Sequence, residues 1–314
     1  MKFKFNYTCL IMLMFSAIIF AQTENAIEEI ELKNDSIQLP GTLIYDKSLN
    51  EQALAIYVHG SGNVDRNGNQ AGAIKANYIK QLAENLSDNG IAFYRYDKRT
   101  ANQENMKYLM RGVSFLDFVE DVQVAIDHFK DDSRFSHIVL IGHSQGSLVG
   151  MLALTEDVDK YISIAGPASR IDEIMTEQIR KQNGDSIAGI VYSHFKELKT
   201  TGKIENVNPM LFQLFNPQNL PFFESWIKYS PEDEIKKINI PTLIINGTKD
   251  LQVSVKEAKA LHNANPDTEL AIIENMNHVL KNIEKDEDNF KSYSSPDFPL
   301  SEELVEVISR FIKQ

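Results

Sequence analysis

The sequence is almost without cysteine: its single one, Cys9, falls within the first 21 of 314 residues. A chain that loses those residues keeps no thiol. That excludes a disulfide framework, a cysteine nucleophile and a Cys-based zinc site. There is no H-E-x-x-H pair and no Walker loop, so the sequence implies neither a metal nor a cofactor. Bases are outnumbered, with 32 Lys and Arg against 44 Asp and Glu and a formal charge of −12. Such a balance repels a phosphate backbone and argues against nucleic-acid or anionic-membrane binding, although acidity equally serves solubility. Internal repeats are missing too. The longest apolar run, residues 9–20, is short of the roughly 20 residues that a membrane span needs.

That run has Lys2 and Lys4 before it and the small Ala21 after it, so residues 1–21 read as an export signal directing the chain to a periplasm or outside the cell. Ile19 stands where a small residue is expected, which leaves the cleavage point open and an uncleaved N-terminal anchor as the alternative. Cleavage would leave 30 bases against 44 acids, a charge of −14, and no stable membrane contact. The remainder, 43% hydrophobic and 24% charged over the whole chain, suits one large α/β domain with an insertion.

What the sequence does contain is organised around residues 137–155, HIVLIGHSQGSLVGMLALT. Ile138, Val139, Leu140 and Ile141 suit a strand buried on both faces of a parallel sheet. Gly142-His143-Ser144-Gln145-Gly146 follows at once, and Leu148, Val149, Leu152 and Ala153 then recur as the apolar stripe of a helix. A bare G-x-S-x-G is a weak signal. Between a strand and a helix it is a nucleophile elbow, in which a Cβ at either glycine would strike the neighbouring elements.

Around it, strands are expected at 26–33, 36–45, 53–58, 91–96, 161–165, 241–246 and 270–273, and helices at 74–89, 114–130, 255–263 and 301–312. Pro40-Gly41 predicts an interruption of the second strand and an edge position for it. Strands alternating with helices imply a mostly parallel, doubly wound sheet with helices on both faces. From 167 to 235 the pattern is helical, with Met210, Phe212, Phe215, Phe222, Phe223 and Trp226. The expected organisation is therefore a core of residues 22–166 and 236–314 with a helical cap of 167–235 roofing the elbow. Residues 282–299, rich in charge, serine and proline, read as an exposed loop.

A serine needs a base to take its proton and a third group to orient that base. Of the seven histidines, His278 is the one on a loop just past a terminal strand and after Ser144 in chain order. Asp250, three residues beyond Gly247, occupies the acid's place in the order Ser, Asp, His. The glycines of His59-Gly60-Ser61-Gly62 let backbone N–H groups turn into a pocket, as an oxyanion requires. Asp97 with Arg99, and Asp65 with Arg66, are expected to brace the loops beside the site.

GHSQG, HGSG and the late Asp and His resemble the α/β-hydrolase superfamily over nearly the whole chain past the leader. HGSGNVDR, RYDKRT and NGTKDLQV narrow the resemblance to a bacterial serine esterase branch grouped with serine-aminopeptidase-like and acyl-CoA thioesterase-like hydrolases. The resemblance implies an α/β-hydrolase fold in which Ser144 is acylated, His278 shuttles the proton and Asp250 orients it. It also implies an oxyanion hole from the backbone N–H groups of Ser61 and Gln145, with Gly62 the alternative to Ser61. The expected activity is carboxylesterase on small-molecule esters with short or medium acyl groups. Two other readings stand beside it: an aminopeptidase, with Glu173, Glu177 or Glu224 receiving a substrate ammonium, and a catalytically silent fold that binds a ligand through its apolar roof.

Overall fold

The computed structural model describes residues 24–110 and 112–314; the stretch 1–21, expected to be an export signal, lies outside them. Among the described residues eight strands form the main sheet: β1 (Asn25–Asn34), β2 (Ile37–Asp46), β3 (Gln52–Val58), β4 (Ala92–Tyr96), β5 (Phe135–His143), β6 (Lys160–Ile164), β7 (Thr242–Gly247) and β8 (Glu269–Ile273). Their order is β1-β2-β4-β3-β5-β6-β7-β8. β1 and β2 pair antiparallel, as do β2 and β4, and every pairing from β4 to β8 is parallel.

The continuous apolar runs are explained by burial on both faces. In β3, Leu54, Ile56 and Val58 enter one core while Ala53, Ala55 and Tyr57 enter the other. In β5, Ile138 and Leu140 face the first core, and Val139 and Ile141 the second. Helices α1 (Tyr78–Asp88) and α9 (Glu302–Lys313) supply Leu82, Leu86, Leu304 and Ile308 to one side. On the other side lie α2 (Phe115–Phe129), α3 (Gln145–Ala153) and α8 (Val255–Ala264). The N-terminus of α2 carries a full capping box, Ser114 with Asp117, which fixes its start where the serine predicts it.

Between β6 and β7 run α4 (Ile171–Asn183), α5 (Asp185–Thr201), α6 (Leu220–Trp226) and α7 (Pro231–Ile235). Phe195, Phe215 and Phe223 pack edge to face and tilted at ring-centre distances of 5.0–5.9 Å. Trp226 stacks on Phe115 of α2 with centres 4.9 Å apart and planes 7° apart. Such a pair contributes about 0.5–1.5 kcal/mol beyond its buried area, and here it fastens the insertion to the core.

Three local expectations are corrected. β2 is neither broken nor at an edge, since β1 covers it. Pro40 falls one residue past the ladder with β4, where its missing N–H removes no bond to that strand, and its carbonyl accepts from Asp97 N. Gly41 is there for room, because a Cβ would enter the Tyr94 ring. The helix expected from residue 74 begins at Tyr78: Ile74–Lys75 pairs with Asn69–Gln70, and the Asn69 side chain binds Asn77 at a left-handed turn. Residues 282–299 are not simply exposed. They contain the helical turn Asn289–Ser292, whose Asn289 and Ser292 are buried and bind the Asn277 side chain at 3.0 and 2.8 Å.

Candidate active site

Ser144 sits between β5 and α3 with φ 55° and ψ −120°, a conformation that costs a non-glycine residue of order 1–3 kcal/mol. Surrounding backbone enforces it. Ser144 N donates to Ile164 O of β6 at 2.9 Å, and Ser147 N donates to Ser144 O at 3.0 Å. A Cβ on Gly146 would run into the carbonyls of Val58 and His59, and one on Gly142 into Gly146 O and, at 2.8 Å, Ser147 Cα. The two glycines thus let β3, β5 and α3 meet closely enough to hold the serine on the turn.

Asp250 and His278 come from the ends of β7 and β8. Asp250 Oδ2 accepts from His278 Nδ1 at 2.8 Å, with the two side chains 1% and 6% exposed. The carboxylate's other oxygen accepts from Gln252 N at 2.7 Å and Val253 N at 2.9 Å, which fixes its plane. Behind the imidazole, His143 Nε2 donates to the His278 carbonyl at 2.9 Å. Gly247 permits this meeting, since a Cβ there would occupy the place of the Met276 carbonyl. Ser144, Gln145, His278, His143, Gly60 and Ser61 share the walls of one cavity of about 220 Å³. No hydrogen bond joins Ser144 Oγ to His278 Nε2 in this resting arrangement; such contacts commonly tighten only in the substrate complex.

A second cavity of about 440 Å³ adjoins the first and shares Ser61, Gln145, Ile171, Met175 and Trp226 with it. Phe118, Phe222, Phe223 and Leu109 make it largely apolar. Of the aromatic and methionine residues expected to roof the site, Phe222, Phe223 and Trp226 do so. Met210 and Phe212 instead point to solvent and Phe215 is sealed inside the cap, because an apolar residue on a short helix does not declare which side it faces. The backbone N–H groups of Ser61 and Gln145 have no partner among the described residues.

The flanking charges are committed elsewhere. Arg66 holds Asp97 through paired contacts of 3.0 Å, and Arg99 grips Asp121 at 2.7 Å through two nitrogens. Asp65 accepts from Asn67 N and Asn69 N, closing its own turn rather than pairing with Arg66. Glu173 caps Arg170 N, Glu177 pairs with Arg180 and Glu224 with Lys228. Among the described residues no carboxylate lines either cavity, so these three glutamates do not form an ammonium pocket there. Nor do three His, Cys, Asp or Glu side chains converge as metal ligands among those residues, and no helix is long and apolar enough to cross a membrane.

Two parts of the site carry little mark in the sequence. Lys98 is buried, with Nζ 2.7 Å from both Gly60 O and Gln145 Oε1 and 4.3 Å from the centre of the Phe118 ring. Burial pulls its ammonium down to about 7, against the opposing pull of Asp121. In the sequence it is one base in a run of charges, and the signal that could have found it is its place at the end of a fully buried strand. Glu257, in α8, accepts from Ala168 N and Ser169 N at 3.0 and 2.8 Å and so holds the start of the insertion. His59 and His143 are also buried, and desolvation lowers each to about 3, so both stay neutral supports.

A mostly parallel sheet, a strained serine at a strand-to-helix turn, and an acid and histidine from the ends of the last two strands define the α/β-hydrolase class. The chain has the α/β-hydrolase fold. Residues 72–210, which include Ser144 but neither Asp250 nor His278, match the family model described as serine aminopeptidase, S33. Esterase EstD of Thermotoga maritima is 27% identical over 260 residues, which are 81% of this chain; the chain spans 61% of that protein's length. Among solved structures, Est1E from Butyrivibrio proteoclasticus superposes with a TM-score of 0.54 at 18% identity, covering 91% of this chain and 96% of that one. A Pyrococcus furiosus esterase, Pf2001, does so with 0.58 at 17% identity, covering 92% and 91%. At such identities these two likenesses speak to the fold alone.

Proposed function

We propose that the protein is an exported serine hydrolase that cleaves carboxylic esters through an acyl-enzyme. The observation that carries this reading is the meeting, at one cavity, of a serine on a strained elbow and an imidazole braced by a buried carboxylate. Ser144 Oγ attacks the ester carbonyl while His278 takes the hydroxyl proton. The oxyanion that forms accepts from the N–H groups of Ser61 and Gln145. Collapse expels the alcohol, which leaves with the proton from His278, and water repeats the sequence to release the acid. Asp250 holds the imidazole's tautomer and stabilises its charge throughout.

The larger apolar cavity supports an aliphatic or aromatic acyl group of short or medium length. Among the described residues the two cavities at Ser144 have no carboxylate in their walls, which favours esters. Glu173 and Glu177 line a neighbouring cavity that shares Ile174 and Gln178 with the Ser144 cavity, and they keep the aminopeptidase reading as the alternative. Export rests on Lys2, Lys4, the apolar run and Ala21. A fluorophosphonate probe should label the wild-type chain and not Ser144→Ala, and p-nitrophenyl esters of increasing length should be turned over with a length optimum. A folded protein that the probe never labels would remove the mechanism. Faster turnover of aminoacyl amides than of esters would reassign the substrate, and retention of the chain in the cytoplasmic fraction would remove the export reading.

A further inference from the structure

Lys98 connects the two halves of the oxyanion hole, and its contacts are unusual in which atoms they choose. The Gly60 carbonyl belongs to the same peptide unit as the Ser61 N–H. In a trans peptide these groups point in opposite directions, so a cation fixed on the oxygen sets the plane in which the N–H is aimed. It also polarises the unit, strengthening the N–H as a donor, as linked hydrogen bonds do in a low-dielectric interior. The second contact goes to the side chain of Gln145, whose own backbone N–H is the other donor.

We propose that Lys98 is the positioning residue of the oxyanion hole, tying the Gly60–Ser61 peptide and Gln145 into one preorganised pair of donors. The proposal rests on the ester-hydrolysis reading and deepens it. Direct binding of a substrate anion fits the contacts less well, because two of the three ammonium N–H groups are engaged and the Phe118 ring lies 4.3 Å from the nitrogen. Burying an ammonium is costly unless the group is needed. Here the buried charge's side-chain bonds run to the two oxyanion segments, while Asp121 is committed to Arg99.

The experiment compares wild type with Lys98→Met on p-nitrophenyl butyrate. Active sites are counted by fluorophosphonate titration, and affinity for a trifluoromethyl ketone, whose serine adduct carries an oxyanion, is measured in parallel. Since outright loss of one oxyanion donor costs about 10²–10³ in kcat, loss of its positioning should cost about 10- to 100-fold, with KM changed by no more than about threefold. Ketone affinity should fall by the same factor as kcat/KM. In Lys98→Ala, ethylammonium should restore kcat saturably and tetramethylammonium, which has charge but no N–H, should not.

Should Lys98→Met fail to fold, Gln145→Met decides instead, with an expected loss in kcat of about 3- to 10-fold at unchanged KM. A folded Lys98→Met with kcat and ketone affinity within about twofold of wild type overturns the proposal, as does a loss confined to KM, the mark of a substrate contact. A Gln145→Met of undiminished kcat, where it is the deciding variant, overturns it as well. Wild-type protein without ester turnover or labelling instead sinks the functional reading, and the proposal with it.

Discussion

Acidification should destabilise this protein through two histidines that take no part in proton transfer. His59 and His143 are 3% and 2% exposed, and burial lowers both to about 3. In the unfolded chain each titrates near the usual value of about 6.5. The unfolded state therefore gains protons first as pH falls, and stability that is complete above about 6.5 erodes at about 1.4 kcal/mol per pH unit per histidine until the folded value is reached. At pH 5 each has cost about 2 kcal/mol and the pair about 4, a large share of the roughly 5–15 kcal/mol that holds a typical domain folded. Urea unfolding of wild type and His59→Phe at pH 8, 6.5 and 5 isolates one of the two. Phenylalanine suits the slot, because His59 meets Tyr57 and Tyr96 edge-on at 5.6 and 5.0 Å and neither ring nitrogen has a partner among the described residues. Between pH 8 and 5 the variant should lose about 2 kcal/mol less than wild type. Parallel stability curves for the two proteins would refute the reasoning.

Three further outcomes follow from the geometry. Asp250→Asn keeps the shape of the pair but presents an amide to His278 Nδ1, so ester kcat should drop by about 10²–10⁴, measured after active-site titration. Gly146→Ala places a methyl against the carbonyls of Val58 and His59; the urea midpoint should fall by the equivalent of about 1–3 kcal/mol or more. Ser61→Ala leaves the proposed backbone donor in place, and kcat should stay within about threefold of wild type.

The elbow was legible because three signals coincide: an apolar run, two glycines at fixed offsets and a helical stripe. Chain order and a place on the loops just past the last two expected strands pointed to Asp250 and His278, and the fold brings their side chains to 2.8 Å. Less visible were features set by partners distant in sequence. Gly41 answers to Tyr94, and the left-handed Asn77 to Asn69. Buried Asn289 and Ser292 answer to Asn277, so a polar stretch reads as a loop until its partner is known. Lys98 is the sharpest case, since a charged residue is by default a solvated one. The cap's aromatic residues show the same limit at shorter range: composition identifies an apolar insertion but does not sort Trp226, over the cavity, from Phe212, in solvent.

The close approach at Gly247 has a consequence for how such a molecule can be altered. The strand that carries the acid and the loop that carries the imidazole touch backbone to backbone, and the insertion leaves and rejoins the sheet upstream of both. The reactive pair is thus wired into the chassis, whereas the insertion contributes one side of the chamber above it, through Ile171, Met175, Phe222, Phe223 and Trp226. Grafting another helical segment between β6 and β7 should retune which molecules are admitted without rebuilding the machinery that acts on them.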